Sequence, residues 1–156
     1  AEGHAKPGGF CAVGASYGAF ASMLALARDP ANFACGIGDV GVYDLTTWSE
    51  DADVGRSRSA RRAVAQSLEG VDRAAVSPIA QAAKISDPVL LTAGELDRRA
   101  PAAQSKAFAE ALRAAGVPVE LVVYPGEGHG YVALANRRDH AKRMLAFLAE
   151  HLPVTR

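Results

Sequence analysis

A serine hydroxyl attacks an acyl carbon efficiently only when a base takes its proton and an acid holds that base in place, so three residue types must be found together. Gly14-Ala15-Ser16-Tyr17-Gly18 supplies a serine in the Gly-x-Ser-x-Gly pattern of a sharp strand-to-helix turn. Small residues two positions away on either side suit a turn whose backbone packs tightly. The helix expected to follow would offer its N-terminus and the Tyr17 amide to a developing oxyanion. Four histidines are available: His4, His129, His140 and His151. His129 stands in the glycine-rich stretch Tyr124-Pro-Gly-Glu-Gly-His-Gly-Tyr131, directly after an apolar run, and is the candidate base. His140 and His151 fall on the polar side of a predicted helix, where solvated residues are expected, and His4 lies near the start of the chain. Asp97, in Leu91-Thr-Ala-Gly-Glu-Leu-Asp97, is the candidate acid. Glu95 competes but stands closer to the strand end, while Asp97 reaches further into the loop. Asp39 and Asp44 are weaker competitors, for which hydrogen-bonded turn roles are expected.

These residues need a frame, and the apolar pattern supplies one. Residues 10–13, bounded by Gly8-Gly9 and Gly14, read as a buried strand, and residues 17–28 as a helix with Phe20, Leu24 and Ala27 on one face. Asp29-Pro30 stops that helix, and residues 33–37 suggest a second, short strand. Residues 88–93 form a continuous apolar run, as expected of a strand covered on both faces. A helix follows from Pro101 to a stop at Gly116. Residues 119–124 read as another strand and residues 136–152 as a helix. Strand alternating with helix predicts a parallel α/β sheet. Ligands in such sheets bind beyond the carboxyl ends of the strands, where Ser16, Asp97 and His129 all fall. Residues 49–77 differ: they are polar, rich in Arg and Asp, helical near 58–68, and read as an insertion between strands.

Composition excludes several classes. The 156 residues are 49% hydrophobic and 22% charged, values of globular domains rather than of disordered chains. Seventeen basic side chains balance seventeen acidic ones, which removes the bulk electrostatic case for nucleic acid or an acidic membrane. No apolar run has the roughly 18 residues of a membrane span. Cys11 and Cys35 are too few for a disulfide framework and lack the paired spacing of a zinc site, so buried free thiols are expected. The histidines stand apart from acidic partners at ligand spacing, so no metal is expected, and acylation followed by hydrolysis needs no cofactor. The chain opens Ala-Glu-Gly-His without an initiator Met and with no basic segment followed by an apolar run, so its native start, and with it any targeting signal, is expected to be missing; of the possible locations a cytoplasmic one is favoured.

Taken together, Gly14-Ala-Ser-Tyr-Gly18, Val42-Tyr-Asp-Leu45, Ser77-Pro78, Pro88-Val-Leu-Leu with Gly94-Glu-Leu-Asp97, and Tyr124-Pro-Gly-Glu-Gly-His-Gly130 resemble the C-terminal catalytic domain of the prolyl oligopeptidase family. The order Ser, acid, His is that of α/β-hydrolases. The resemblance implies a serine peptidase acting on peptides through an acyl-enzyme, with Ser16 as nucleophile, His129 as base and acid, Asp97 orienting His129, and the Tyr17 amide as one oxyanion donor. It also implies a three-layer α/β fold, a parallel sheet with flanking helices. Residues 1–156 would be one partial domain, the C-terminal portion of an α/β-hydrolase whose early strands are missing. Ala19 departs from the Gly-Gly that usually follows the Tyr of the serine motif, a minor change at a packing position. The early strands would carry the second oxyanion amide, and the family's β-propeller would precede them. The expectation is therefore a fragment of a longer polypeptide, poorly active alone and prone to associate through residues 10–13, with an oligomer compatible.

Three other readings compete. An esterase or other acyl hydrolase would use the same residues. A non-catalytic module could keep the hydrolase frame. Gly36-Ile-Gly-Asp-Val-Gly41 has the letters of a dinucleotide fingerprint, with Arg56, Arg58, Arg61 and Arg62 nearby, but a helix should open at that glycine cluster and Val42-Tyr43 reads as extended. Those arginines are expected on a solvated helix face, and Trp48 with them is a candidate for facing substrate.

Overall fold

The computed structural model describes residues 8–152. Strand β1, Phe10–Ala15, runs through Ser16 into helix α1, Tyr17–Arg28. A short 3-10 turn, Pro30–Asn32, leads into β2, Phe33–Asp39. The glycines of the dinucleotide-like stretch thus lie inside or just after a strand with no helix opening there. Carbon added to Gly36 would run into Met23 and Leu26, and carbon on Gly38 into Leu91 and Tyr43. Packing accounts for these glycines, and the nucleotide-binding alternative loses its only motif.

Between β2 and the next strand come α2 (Trp48–Asp51), a 3-10 turn (Asp53–Arg56), α3 (Arg58–Ser67), α4 (Arg73–Val76) and a longer 3-10 segment (Pro78–Lys84). Side-chain caps start two of these: Ser57 Oγ accepts the Ala60 amide and an Asp72 carboxylate oxygen accepts the Ala75 amide. Strand β3 is Val89–Gly94, buried at every position as its unbroken apolar run predicts. Helix α5, Ala102–Ala114, begins just after Pro101, and Gly116 at a φ of 79° ends its last turn. Strand β4 is Val119–Tyr124 and helix α6 is Leu134–His151, two residues longer at its start than the periodicity predicts.

The four strands pair in the order β1-β2-β3-β4, all parallel. Val89 and Leu91 face one side, where they pack with Met23 and Leu26 of α1 and Phe108 and Leu112 of α5. Leu90, between them, faces the other side and meets Phe147 of α6 with Cys35 and Ile37 of β2. This period-two division gives three layers, helices α1 and α5, the sheet, and α6. Parallel strands have their carboxyl ends on one edge, so the loops after β1, β3 and β4 emerge side by side.

The cysteines correct an expectation. Cys11 and Cys35 are register partners on β1 and β2, with Cα atoms 4.6 Å apart, and their sulfurs are bonded as a disulfide rather than left as free thiols. The pairing register, invisible in a 24-residue spacing, puts both side chains on the same face of adjacent strands.

Candidate active site

Ser16 follows β1 with φ 55° and ψ −120°, a positive φ that a residue with a Cβ adopts only under constraint. The constraint is visible. Ser16 N donates to the Asp39 carbonyl at 2.9 Å, extending the β1-β2 ladder, while the Ser16 carbonyl already accepts from Ala19 and Phe20 of α1. The chain thus changes from strand to helix within one residue. At Gly14 an added Cβ would collide with the Gly18 carbonyl and the Ala19 amide. At Gly18 an added Cβ would meet open space, so crowding explains the first glycine of the motif and not the second. Ala19, the position at which the resemblance implies a glycine, is fully buried.

Asp97 stands three residues beyond β3 with its side chain fully buried. Oδ1 accepts the Arg99 and Ala100 amides at 2.8 and 3.0 Å, which fixes the carboxylate and turns Oδ2 toward His129. His129 Nδ1 lies 2.8 Å from Asp97 Oδ2, and His129 Nε2 lies 3.0 Å from Ser16 Oγ. With Nδ1–H donating to the carboxylate, the lone pair of Nε2 faces the serine hydroxyl. Tyr17 N–H belongs to the first turn of α1, where intrahelical acceptors are lacking, and takes no backbone hydrogen bond among the described residues. Such an arrangement can pass the serine proton to the histidine, and it leaves one amide free for an oxyanion.

The loop that carries His129 is shaped by two glutamates that sequence reasoning either passed over or read differently. Glu95 Oε2 accepts the Gly126 amide at 3.1 Å, so this competitor of Asp97 ties loops together and does not reach His129. Glu127 is buried and accepts from Val132 N, Ala133 N and Asn136 Nδ2 at 2.7 to 2.9 Å. The Val132 amide, then Asn136 and Ala133, hold its carboxyl below the usual glutamate range against the opposing effect of burial. Its place in the middle of a glycine-rich loop was the available signal, since a turn without side chains of its own needs a local acceptor. At Gly94 a Cβ would strike the Glu127 and Gly128 carbonyls, so the His129 loop lies directly on the end of β3.

The remaining acids and histidines separate. Asp44 Oδ1 accepts the Thr46 amide and hydroxyl, the turn role expected. Asp39 has no such role: its carboxylate accepts from Thr92 Oγ1 and Tyr131 Oη. His140 is not solvated. Its side chain is 16% exposed, edge-on to Tyr131 with ring centres 4.8 Å apart, and Nε2 is 3.7 Å from Asp39 Oδ1. His151 is half-buried against Phe147. His4 lies outside the described residues.

A cavity of about 570 Å³ opens beside Ser16. Its walls are mostly apolar: Tyr17, Phe20 and Leu24 on α1, Leu45 and Trp48 before and in α2, Val64 on α3 and Leu68 just after it, with Arg28 at the end of α1 as the charged lining residue. Trp48 therefore faces this space, with its indole N–H tied to the Arg99 carbonyl. Arg56, Arg58, Arg61 and Arg62 do not line it and lie exposed. No group of three or more metal-ligating side chains forms among the described residues, and no helix there is long and apolar enough to cross a membrane.

Residues 1–155 match the prolyl oligopeptidase family. The chain is 30% identical over 149 residues to dipeptidyl aminopeptidase BIII of Pseudoxanthomonas mexicana, an alignment covering 90% of this chain and 21% of that protein. It is 35% identical over 134 residues to a probable chloroplastic glutamyl endopeptidase of Oryza sativa subsp. japonica, covering 85% of this chain and 14% of that protein. Among solved structures, the acylaminoacyl peptidase of Pyrococcus horikoshii superposes with a TM-score of 0.82 at 22% identity, over 97% of this chain and 25% of that one. A puromycin-hydrolysing peptidase of Mycobacterium tuberculosis gives 0.84 at 24%, over 96% and 23%. The fold is thus that of part of an α/β-hydrolase, and the chain spans about a fifth of the first of these relatives.

Proposed function

Because the chain belongs to the prolyl oligopeptidase family, we propose that it carries the nucleophile, acid and base of a serine peptidase whose acyl-enzyme forms on Ser16. The observation that supports this most is the hydrogen-bonded line from Asp97 through His129 to Ser16. In the reaction, Ser16 Oγ attacks the scissile carbonyl while His129 Nε2 takes its proton. The Asp97 carboxylate, held by two backbone amides, keeps Nδ1 protonated and stabilises the imidazolium that forms. The Tyr17 amide donates to the oxyanion, and His129 returns the proton to the leaving amine. Water then enters, His129 removes its proton, and Ser16 is released from the acyl group.

The cavity beside Ser16 supports a preference for an apolar side chain on the residue whose carbonyl is attacked, since its walls are apolar apart from two serines and from Arg28 at the opposite end of α1, and would leave a polar side chain undersatisfied. In this reading the helices between β2 and β3 form the specificity wall of one partial catalytic domain. Steady-state hydrolysis by the intact protein of a peptide series differing only at that residue tests the proposal. Phenylalanine or leucine is expected to exceed aspartate or lysine in kcat/KM by at least tenfold. Equal rates across the series, or hydrolysis of the matched esters alone, would contradict it.

A further inference from the structure

Asp39 ends β2, the strand lying between those that lead to Ser16 and to Asp97. Its main chain and side chain bond in different directions. The carbonyl accepts the Ser16 amide at 2.9 Å. Oδ1 accepts from Thr92 Oγ1 at 2.6 Å and from Tyr131 Oη at 2.5 Å. Thr92 is the register partner of Asp39 on β3 and is fully buried. Tyr131 lies two residues beyond His129. One residue is therefore bonded to the nucleophile's backbone, to β3 and to the loop of the base.

The other anchors of that loop do not duplicate this bond. Before His129, Gly126 N donates to Glu95 and Leu96 N donates to the Glu127 carbonyl. After His129, Glu127 collects the Val132 and Ala133 amides, but Glu127 belongs to the same loop, so these bonds shape it without fastening it to the sheet. Apart from the bonds of the His129 ring itself, Tyr131 to Asp39 is the hydrogen bond that joins residues 128–133 to β2 among the described residues. Burial and the adjacent carboxylate push the Tyr131 hydroxyl up, so it stays a donor at neutral pH. Val40, next to Asp39, is held at a φ of 42°, costly for a β-branched residue, with its amide on the Thr92 carbonyl. The polypeptide is thus tightly determined where the side chain of Asp39 leaves the sheet.

We propose that Tyr131 and Asp39 are positioning residues: their hydrogen bond holds the second half of the His129 loop against β2 and so sets the contact between His129 Nε2 and Ser16 Oγ. This rests on the reading of Ser16 as nucleophile. Neither side chain hydrogen-bonds to Ser16 Oγ or to the His129 ring, and no residue of 125–133 lines the apolar cavity. Loosening the loop therefore lowers the fraction of enzyme with an aligned base, which acts on turnover and leaves substrate binding alone.

The test compares Tyr131→Phe, Thr92→Val and Asp39→Asn with the unaltered intact protein, reading kcat and KM for an apolar peptide, the rate of Ser16 phosphonylation, and the low-field proton resonance of His129 Nδ1–H. Tyr131→Phe is expected to lower kcat and phosphonylation about tenfold or more with KM unchanged, and to broaden the His129 resonance. Thr92→Val, which removes the other donor to Oδ1 and the hydroxyl beside Tyr131 but leaves the Tyr131 to Asp39 bond in place, is expected to cost less than about threefold. Asp39→Asn keeps an acceptor and should fall between them. The proposal is overturned if Tyr131→Phe leaves kcat within twofold, if its effect lies in KM, or if Thr92→Val matches it. If Ser16→Ala retains activity, it is the nucleophile reading that fails. The resonance then decides the latch alone, with broadening in Tyr131→Phe upholding it and an unchanged signal overturning it.

Discussion

Asp97 and Glu95 are both carboxylates two residues apart, and their different fates show how much of the site rests on local backbone donors. Asp97 faces the Arg99 and Ala100 amides, which hold one oxygen and aim the other at His129. Glu95 stands where the Gly126 amide takes its carboxylate. Replacing Asp97 with Asn should leave the shape intact but favour the wrong histidine tautomer, lowering acylation of Ser16 by about 10⁴-fold, measurable as the phosphonylation rate. Glu95→Gln, which keeps an acceptor for Gly126, should change that rate by less than about threefold. Glu127 gives a pH dependence whose sign follows from its lowered pKa. Its hydrogen bonds stabilise the loop above the ordinary glutamate value of 4.5 and are lost as pH falls through the still lower native value. Protection of the Val132 and Ala133 amides against hydrogen exchange, relative to their intrinsic rates, should therefore fall as pH drops through that lowered value, whereas Glu127→Gln should show reduced protection already at pH 7.

At the scale of elements, close backbone approaches decide which glycines matter. Gly14→Ala would drive a methyl into the Gly18 carbonyl and Gly94→Ala would drive one into the His129 loop, so each should lower the melting temperature and the Ser16 acylation rate together. Gly18→Ala meets open space and should do neither. Trp48→Ala should raise KM for large apolar residues about tenfold, while replacing Arg58, Arg61 and Arg62 together should leave it unchanged, because only Trp48 lines the cavity. The strands and long helices were legible because their apolar periods are intact: α1 and β4 coincide with the predicted ranges, and β1, β2 and β3 differ by one or two residues. The short helices around α3 were not legible beyond α3 itself, being one-turn pieces fixed by caps and by Trp48 rather than by a period. The partnership of Cys11 with Cys35 and the burial of His140 were hidden for a different reason. Each depends on which strand neighbours which, and spacing along the chain carries no such information.

For the whole molecule, β1 is the outer strand of the described sheet, with Phe10 and Val13 about half exposed (47% and 49%). An apolar strand with an unpaired edge invites pairing with another strand. The 156-residue chain by itself is expected to associate with rising concentration, and Val13→Lys should reduce that association in sedimentation velocity without unfolding the sheet. The three loops of the site nonetheless depend on contacts inside the described residues: β1 to β2 for Ser16, backbone amides for Asp97, and β3 with Asp39 for the His129 loop. The central claim is that Ser16 is the nucleophile activated through His129. The most direct measurement is covalent labelling of the intact protein by a fluorophosphonate, with the adduct located by mass spectrometry in the unaltered protein, Ser16→Ala and His129→Ala. The account predicts one adduct, on Ser16, absent from Ser16→Ala and slowed at least about a thousandfold in His129→Ala. Labelling at another serine, or labelling of Ser16 at an undiminished rate without His129, would contradict it.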